Sequence, residues 1–263
     1  MKKSIGAVEG FDLKSNDIVH GLKCICASCQ VGKLARLSFS KRPRTRAPTV
    51  GERLHTDLLG PMRTESLLGF RYAQAFVDDT GGFSWLHFLK AKSDWFHKFV
   101  ELHAFLVRQF KIELKSLRAD GEAIFMSRRV TKWLRERGIR RETTARGASQ
   151  LNGRAERFWR TIVNLARAML AHAGLKDQFW DHAMEHANYI LNRVCRGSMT
   201  MTPYESLYGK KPDLSNLRVF GCAAYVRIPS DMRHKWTDKA RKCIYLGVDA
   251  EKIGHKVMDA KTR

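Results

Sequence analysis

Residues 54–89 carry the sequence LHTDLLGPMRTESLLGFRYAQAFVDDTGGFSWLHFL, and the alternation of segments within it sets the architecture of the chain. The segments 54–59, 70–77 and 83–89 are β-rich, and turns containing Gly60-Pro61 and Gly81-Gly82 separate them. This pattern predicts three consecutive strands joined as an antiparallel meander.

Helices and strands alternate after this meander. Apolar residues recur at helical spacing from Phe96 to Phe110, and Ser93 is a candidate cap for that helix. Seven further elements are predicted in this order: strand 112–118, helix 130–137, strand 139–143, helices 153–173 and 177–194, and β-rich pieces 217–228 and 242–248. Three antiparallel strands followed by alternating helices and strands predict an α/β layered core, in the order that an RNase H-like fold requires.

Three acidic residues occupy settings that suit a shared metal site. Asp57 ends an apolar stretch, and Asp120 ends the run Ile112–Leu117. Glu156 lies in the first turn of a predicted helix, with 35 residues between it and Asp120. Phosphoryl transfer between nucleic-acid strands uses two divalent ions held by such oxygen ligands. The chain has 26 acidic residues, so spacing alone does not establish the site.

Several longer motifs resemble the integrases of copia-type retrotransposons, in the order of that family and over nearly the whole chain. These motifs are HTDLLGPM, AFVDDTGGFSWLHFLKAKSD, QLNGRAERFWRTI, TPYESLYGKKPDLSNLRVFGCAAYV and RKCIYLGVD. The resemblance implies an RNase H-like core with a mixed five-stranded sheet and flanking helices. It also implies that Asp57, Asp120 and Glu156 are catalytic ligands of Mg²⁺ or Mn²⁺ in an enzyme that trims cDNA 3′ ends and inserts them into target DNA.

The resemblance implies four regions. Residues 1–36 correspond to a truncated gag-pre-integrase module of the zinc-binding type, and 37–50 form a basic linker. Residues 51–212 form the catalytic core with its C-terminal helices, and 213–263 form an SH3-like β domain that is expected to be incomplete. The chain is expected to begin inside the first module.

A zinc site is expected to be incomplete in the first region. Cys26 and Cys29 have the two-residue spacing with which two thiolates bind one zinc ion. The family module needs two histidines farther upstream, and only His20 precedes the cysteines. Whether His20 or Cys24 completes a Zn²⁺ site stays open.

The charge of the chain indicates a polyanionic partner. The sequence has 48 Lys and Arg against 26 Asp and Glu, a net charge of +22, which is typical of a protein that binds DNA. No apolar run is long enough to span a bilayer, so no membrane partner is expected. The basic cluster at 41–46 is a nuclear import signal, an arm on DNA or solvated charge, and the family resemblance implies a nuclear location with a cytoplasmic particle stage.

Residues around Glu156 are candidate DNA contacts. Arginine has a planar fork that matches phosphate, and the predicted helix carries Arg154, Arg157 and Arg160 on faces away from its apolar stripe. Gln150 and Asn152 match the segment that precedes the glutamate in the family. For each arginine, helix solubility is the competing interpretation. Because joining two DNA ends requires more than one protomer, an active form is expected to be a homo-oligomer.

One departure from the family leaves the activity open. Where the family has asparagine, two glycines, glutamate and an aromatic residue after the second aspartate, this chain has GEAIF after Asp120. Glu122 and Ala123 tolerate the backbone of a glycine turn less well. Two alternatives to an active integrase therefore stand: a catalytically decayed nucleic-acid-binding remnant of a transposable element, and a nuclease of the RNase H type, which would want a fourth acid.

Overall fold

The computed structural model describes residues 46–143, 153–197, 199–249 and 254–259. All of them belong to one of the two units of the chain, Thr45–Arg263. The zinc-site candidates Cys26 and Cys29, with His20 and Cys24, lie outside the described residues, as do Gln150 and Asn152.

A mixed five-stranded sheet forms the centre of the fold, as predicted. Its strands are β1 (Arg53–Leu59), β2 (Tyr72–Asp78), β3 (Ser84–Leu89), β4 (Ser116–Ala119) and β5 (Arg140–Thr143). Their order across the sheet is β3-β2-β1-β4-β5. The first three strands are antiparallel, whereas β4 pairs parallel to β1 and β5 pairs parallel to β4. The carboxyl ends of β1 and β4 therefore lie side by side at one edge.

Helices cover both faces of this sheet. Four of them are α1 (Trp95–Phe110), α2 (Arg128–Glu136), α3 (Gly153–Ala173) and α4 (Trp180–Leu191), and a short helix α5 (Pro203–Tyr208) follows. Side chains of α1 and α2 pack with Leu54 and Phe76 in one apolar cluster. Side chains of α3 and α4 pack with Ala73, Ala75 and Val77 in a second cluster on the opposite face. The alternation of β2 side chains thus separates two cores.

Several predicted element boundaries are wrong: the helix predicted at 177–194 is Trp180–Leu191, and the β-rich piece predicted at 217–228 contains only the strand Ala223–Arg227. Two further boundaries are displaced for a reason that the structure shows. Helix α1 begins at Trp95 rather than after Ser93, because Lys92–Asp94 form a 3₁₀ turn. The Ala91 amide donates a hydrogen bond to the Asp94 carboxylate at 3.0 Å and stabilises this turn. Strand β4 begins at Ser116 rather than at 112. The chain leaves α1 through Lys111 in the left-handed conformation, and it regains sheet hydrogen bonding where the Lys115 and Ser116 amides reach the Glu52 carbonyl.

A smaller antiparallel sheet forms the C-terminal part of the described chain. It comprises β6 (Ala223–Arg227), β7 (Ala240–Asp249) and β8 (Gly254–Asp259), with β7 in the centre. Ile244 and Leu246 of β7 join the cluster that α3 and α4 form. The predicted β-rich pieces contain β6 and most of β7, whereas β8 was not predicted.

Among the residues that the structure describes, no helix combines the length and the apolar character needed to cross a membrane.

Candidate active site

Asp57 lies on β1, the central strand of the large sheet. Its side chain is half-buried, and one carboxylate oxygen accepts a hydrogen bond from the Leu58 amide at 2.9 Å. Because side chains alternate along a strand, Asp57 and His55 share one face of the sheet and Thr56 occupies the other. Asp57 itself is paired with Ala75 of β2, and β1 is paired with β4 through its first three residues, 53–55.

Asp120 follows the last residue of β4, and Glu156 lies in the first turn of α3. Both side chains are half-buried. Because β4 runs parallel to β1 and α3 packs against β1, the two carboxylates approach Asp57 from different elements. An acid in the first turn is also favoured by the positive end of the helix dipole.

Electrostatic coupling shows that the three predicted acids share one region. Burial raises the pKa of Asp57 to about 7, and the negative charges of Asp120, Glu122 and Glu156 act in the same direction. Burial, followed by the charge of Glu122, also raises the pKa of Asp120. Like charges at short range disfavour simultaneous ionisation, and a bound cation would relieve that repulsion.

The donor set fits Mg²⁺ or Mn²⁺. Both ions prefer carboxylate oxygen ligands, and the side chains of Asp57, Asp120 and Glu156 supply them. Within the described part of the chain, no three His, Cys, Asp or Glu side chains are spaced to hold a metal ion as they stand. The role of these three carboxylates as metal ligands therefore stays a prediction.

The unusual GEAIF loop is integrated into the fold. The Glu122 amide donates to the Asp120 carboxylate at 3.1 Å, and Ala123–Met126 form a 3₁₀ helix. Phe125 is buried and packs edge-on against Trp95, with ring centroids 4.6 Å apart. The Glu122 carboxylate remains exposed and forms an ion pair with Lys92 at 3.3 Å. The loop thus contacts Asp120, with Glu122 and Ala123 in place of the two glycines of the family, and it adds a fourth acid that interacts with Asp57.

Asp78 stabilises the turn after β2. Its carboxylate accepts hydrogen bonds from the amides of Gly51 at 2.7 Å, Thr80 at 3.0 Å and Gly82 at 3.3 Å, and from the Gly81 amide. Gly82 has φ 72°, a conformation that favours glycine. Asp78 is therefore a structural residue of this turn.

Asp79 has a different environment, which the sequence did not reveal. Its carboxylate bonds to His55 Nε2 at 2.8 Å, to Arg53 Nη1 at 3.2 Å and to the Ala47 amide at 2.8 Å. Burial opposes ionisation of this carboxyl, yet the hydrogen bonds from His55 and Ala47 and the charges of His55 and Arg154 hold its pKa below the usual range. An ionised carboxylate only accepts hydrogen bonds, so His55 Nε2 carries the proton.

The predicted DNA contacts fall into two groups. Arg154 is largely buried, and its Nη1 donates to the backbone carbonyls of Asp78, at 3.2 Å, and of Asp79. Arg157 and Arg160 are exposed on α3 and are accessible to phosphate. A role in DNA binding stays a prediction for all three arginines.

Comparisons with known proteins show similarity to the Pol polyproteins of transposons. Residues 222–263 match the family model described as the retroviral polymerase SH3-like domain. The retrovirus-related Pol polyprotein from transposon TNT 1-94 of Nicotiana tabacum is 35% identical over 89% of this chain and 18% of its own length. The corresponding Pol polyprotein from transposon RE2 of Arabidopsis thaliana is 29% identical over 84% of this chain and 15% of its own length. The chain thus spans less than a fifth of the curated relatives that it matches.

One solved structure shows the fold, and a second superposes less closely. A chain of the simian T-cell lymphotropic virus intasome in complex with PP2A regulatory subunit B56 gamma superposes with a TM-score of 0.55 and 12% identity, over 90% of this chain and 85% of that chain. The HTLV-2 integrase catalytic core domain in complex with magnesium gives a TM-score of 0.47 and 16% identity, over 62% of this chain and 99% of that chain. The described part of this chain shares the fold of that intasome chain, and the chain is a homologue of the Pol polyproteins of copia-type retrotransposons.

Proposed function

We propose that the chain is the catalytic region of a retrotransposon integrase, which processes the 3′ ends of element cDNA and joins them to target DNA. The observation that carries this proposal is the coupling of Asp57 to Asp120 and Glu156, three acids brought from a central strand, a strand end and a helix start. Homology to Pol polyproteins supports the reaction class.

The proposed chemistry uses the carboxylates as a metal-binding group. In end processing, water attacks a phosphodiester near the 3′ end, the P–O3′ bond breaks, and the released oxygen takes a proton. In joining, the new 3′ hydroxyl attacks a target phosphodiester, so that one P–O bond forms and another breaks. Asp57, Asp120 and Glu156 would hold Mg²⁺ or Mn²⁺, which when bound activates the attacking oxygen and stabilises the leaving oxygen.

DNA is the proposed partner. The net charge of +22 provides a sequence-independent attraction to phosphate. Arg157 and Arg160 present exposed guanidinium groups on the helix that carries Glu156. They would place the phosphate backbone beside the acids, because the arginine fork matches phosphate oxygens. The same proposal implies a homo-oligomer, since two DNA ends must be joined together. It also implies a nuclear location, where target DNA is found.

One observation favours a second candidate, a nuclease of the RNase H type. Nucleases of that class use a fourth acid at the site, and the negative charge of Glu122 contributes to the raised pKa of Asp57. Glu122 is exposed and paired with Lys92, so its position at the rim agrees less well with a ligand than the half-buried positions of the other three acids do. We therefore rank integration first.

The test presents the purified full chain with two substrates in Mg²⁺ or Mn²⁺. One is labelled element-end DNA with a plasmid target, and the other is an RNA–DNA hybrid. Integration predicts joined DNA and an intact hybrid, with joining lost in Asp57→Asn and Glu156→Gln but kept in Glu136→Gln, which changes an exposed acid on α2. Cleavage of the RNA strand without joining would support the nuclease. Salt-sensitive DNA binding with neither product would indicate a decayed remnant.

A further inference from the structure

Asp79 contacts both β1, which carries Asp57, and α3, which carries Glu156. We propose that Asp79 is a positioning residue that fixes Glu156 relative to Asp57, through His55 and Arg53 on one side and Arg154 on the other. The inference rests on the proposed function, because it assigns Asp79 a role toward the same group of acids. Asp79 itself is not a proposed ligand.

The connection to Asp57 runs along β1. His55 is two residues before Asp57 on the same strand and shares its face, and its ring bonds to Asp79 Oδ1 at 2.8 Å. Arg53 adds an ion pair from the start of the strand at 3.2 Å, and the Asp79 amide donates to the Arg53 carbonyl at 3.0 Å. Both the side chain and the backbone of Asp79 are therefore tied to the strand that carries Asp57.

The connection to Glu156 runs through the first turn of α3. Arg154 is two residues before Glu156, and its guanidinium lies 3.6 Å from Asp79 Oδ1 while it donates to the Asp79 carbonyl. The same nitrogen donates to the Asp78 carbonyl at 3.2 Å. One arginine thus connects the start of α3 to the end of β2 through two hydrogen bonds to backbone carbonyls and one ion pair.

The Asp79 carboxylate is buried, and both of its oxygens have hydrogen-bond partners. The residue is 7% exposed, and the Ala47 amide occupies its second carboxylate oxygen together with Arg53. Charged hydrogen bonds with restricted access to water are shorter and stronger than exposed ones.

A positioning role predicts an effect on metal affinity that exceeds any effect on folding. Groups that orient metal ligands from the second layer typically change metal affinity 10- to 100-fold when they are replaced. We expect Asp79→Asn to weaken Mn²⁺ binding by about tenfold on that scale. We expect Arg154→Gln to act in the same direction, because it removes the contact on the α3 side alone and leaves the contacts on β1.

The experiment combines two measurements on the full chain. Mn²⁺ affinity is measured from the free-ion electron paramagnetic resonance signal, and amide hydrogen exchange of the first turn of α3 is measured without metal. The variants are Asp79→Asn and Arg154→Gln, and Asp57→Asn shows which part of the Mn²⁺ binding depends on the acidic group. The matched controls are Asp177→Asn and Arg167→Gln, which remove the same charges from exposed positions. Arg154→Gln keeps the test decisive if Asp79→Asn does not fold.

Weaker Mn²⁺ binding together with faster exchange at 153–158 in folded Arg154→Gln, and unchanged controls, is the expected result. Folded variants that bind Mn²⁺ within twofold of the original chain would overturn the positioning role. If the original chain shows no Mn²⁺ binding that depends on Asp57, the proposed function fails, and hydrogen exchange then decides the positioning separately. Exchange at 153–158 that is unchanged in the variants would overturn it in that case too.

Discussion

Lys92 Nζ lies 3.3 Å from a carboxylate oxygen of Glu122, at the rim of the acidic group formed by Asp57, Asp120 and Glu156. Glu122 belongs to the loop that departs from the family pattern, and its charge contributes to the raised pKa of Asp57. At Asp120 the charge of Lys92 opposes that of Glu122, although burial keeps the pKa of Asp120 raised.

Glu122→Gln is expected to lower the pKa of Asp57 from its value of about 7, because one of the neighbouring negative charges is removed. A carbon-detected NMR titration of the Asp57 carboxyl measures this shift. Glu136→Gln removes an exposed acid on α2 and serves as the control. An unchanged Asp57 titration in Glu122→Gln would contradict the proximity of the two carboxylates.

Phe125 anchors the altered loop, so Phe125→Ala is expected to destabilise the protein by about 3–5 kcal/mol. The side chain is 1% exposed against Trp95, and truncation leaves a cavity. The neighbouring Met126 is 42% exposed, and Met126→Ala is expected to change the free energy of unfolding by less than about 0.5 kcal/mol. Urea unfolding of both variants provides the comparison. Equal effects would show that the loop is not packed as described.

His87 predicts a loss of stability in acid. Burial, with a smaller contribution from Lys98, lowers its pKa from 6.5 to about 4, and its Nε2 has no hydrogen-bond partner among the described residues. Between these values the unfolded chain binds a proton that the folded chain does not. Stability therefore falls as the pH falls through that window, with a slope of up to about 1.4 kcal/mol per pH unit from this group.

Replacement of His87 separates its contribution from those of the carboxylates. The free energy of unfolding is measured in urea at several pH values between 4 and 7 for the original chain and for His87→Phe. The variant should show a shallower dependence, whereas His97→Gln, which changes an exposed histidine on α1, should not. Identical pH profiles for the original chain and His87→Phe would contradict the buried neutral state.

Exposed and buried arginines of α3 are expected to differ in DNA binding. Arg157→Gln and Arg160→Gln should each weaken binding and lower the slope of log affinity against log salt by about 1, because each removes one phosphate contact. Arg154→Gln should leave the slope unchanged, because its guanidinium is bonded to Asp78 and Asp79. Fluorescence anisotropy across a KCl series measures the slopes. A reduced slope in Arg154→Gln would indicate that this arginine contacts phosphate after all.

The large sheet could be predicted from the sequence because its signals are local. The β-rich segments between glycine-containing turns matched β1, β2 and β3 within two residues, and the apolar spacing after Asn152 matched α3. Strand β4 began later than predicted because its first hydrogen bonds depend on Glu52, far away in the chain. The apolar content of residues 112–118 cannot predict a hydrogen-bond partner so far away in the sequence.

The acids of the candidate site could also be proposed from the sequence, because each has a distinctive local context. The environment of Asp79 could not, since its partners Arg53 and Arg154 lie 26 and 75 residues away along the chain. The sequence of the two adjacent aspartates is compatible with a turn, but it gave no indication that Asp79 joins a strand to a helix. Only the arrangement of β1, β2 and α3 in space separates the two roles.

The central proposal is that Asp57, Asp120 and Glu156 form one metal-dependent DNA-joining site. The most direct measurement is the time course of joined product from element-end DNA and plasmid in Mg²⁺, for the original chain and for Asp120→Asn, with folding verified by circular dichroism. We predict metal-dependent joining by the original chain and background levels for Asp120→Asn. Joining that proceeds equally in Asp120→Asn, or without a divalent metal, would contradict the proposal.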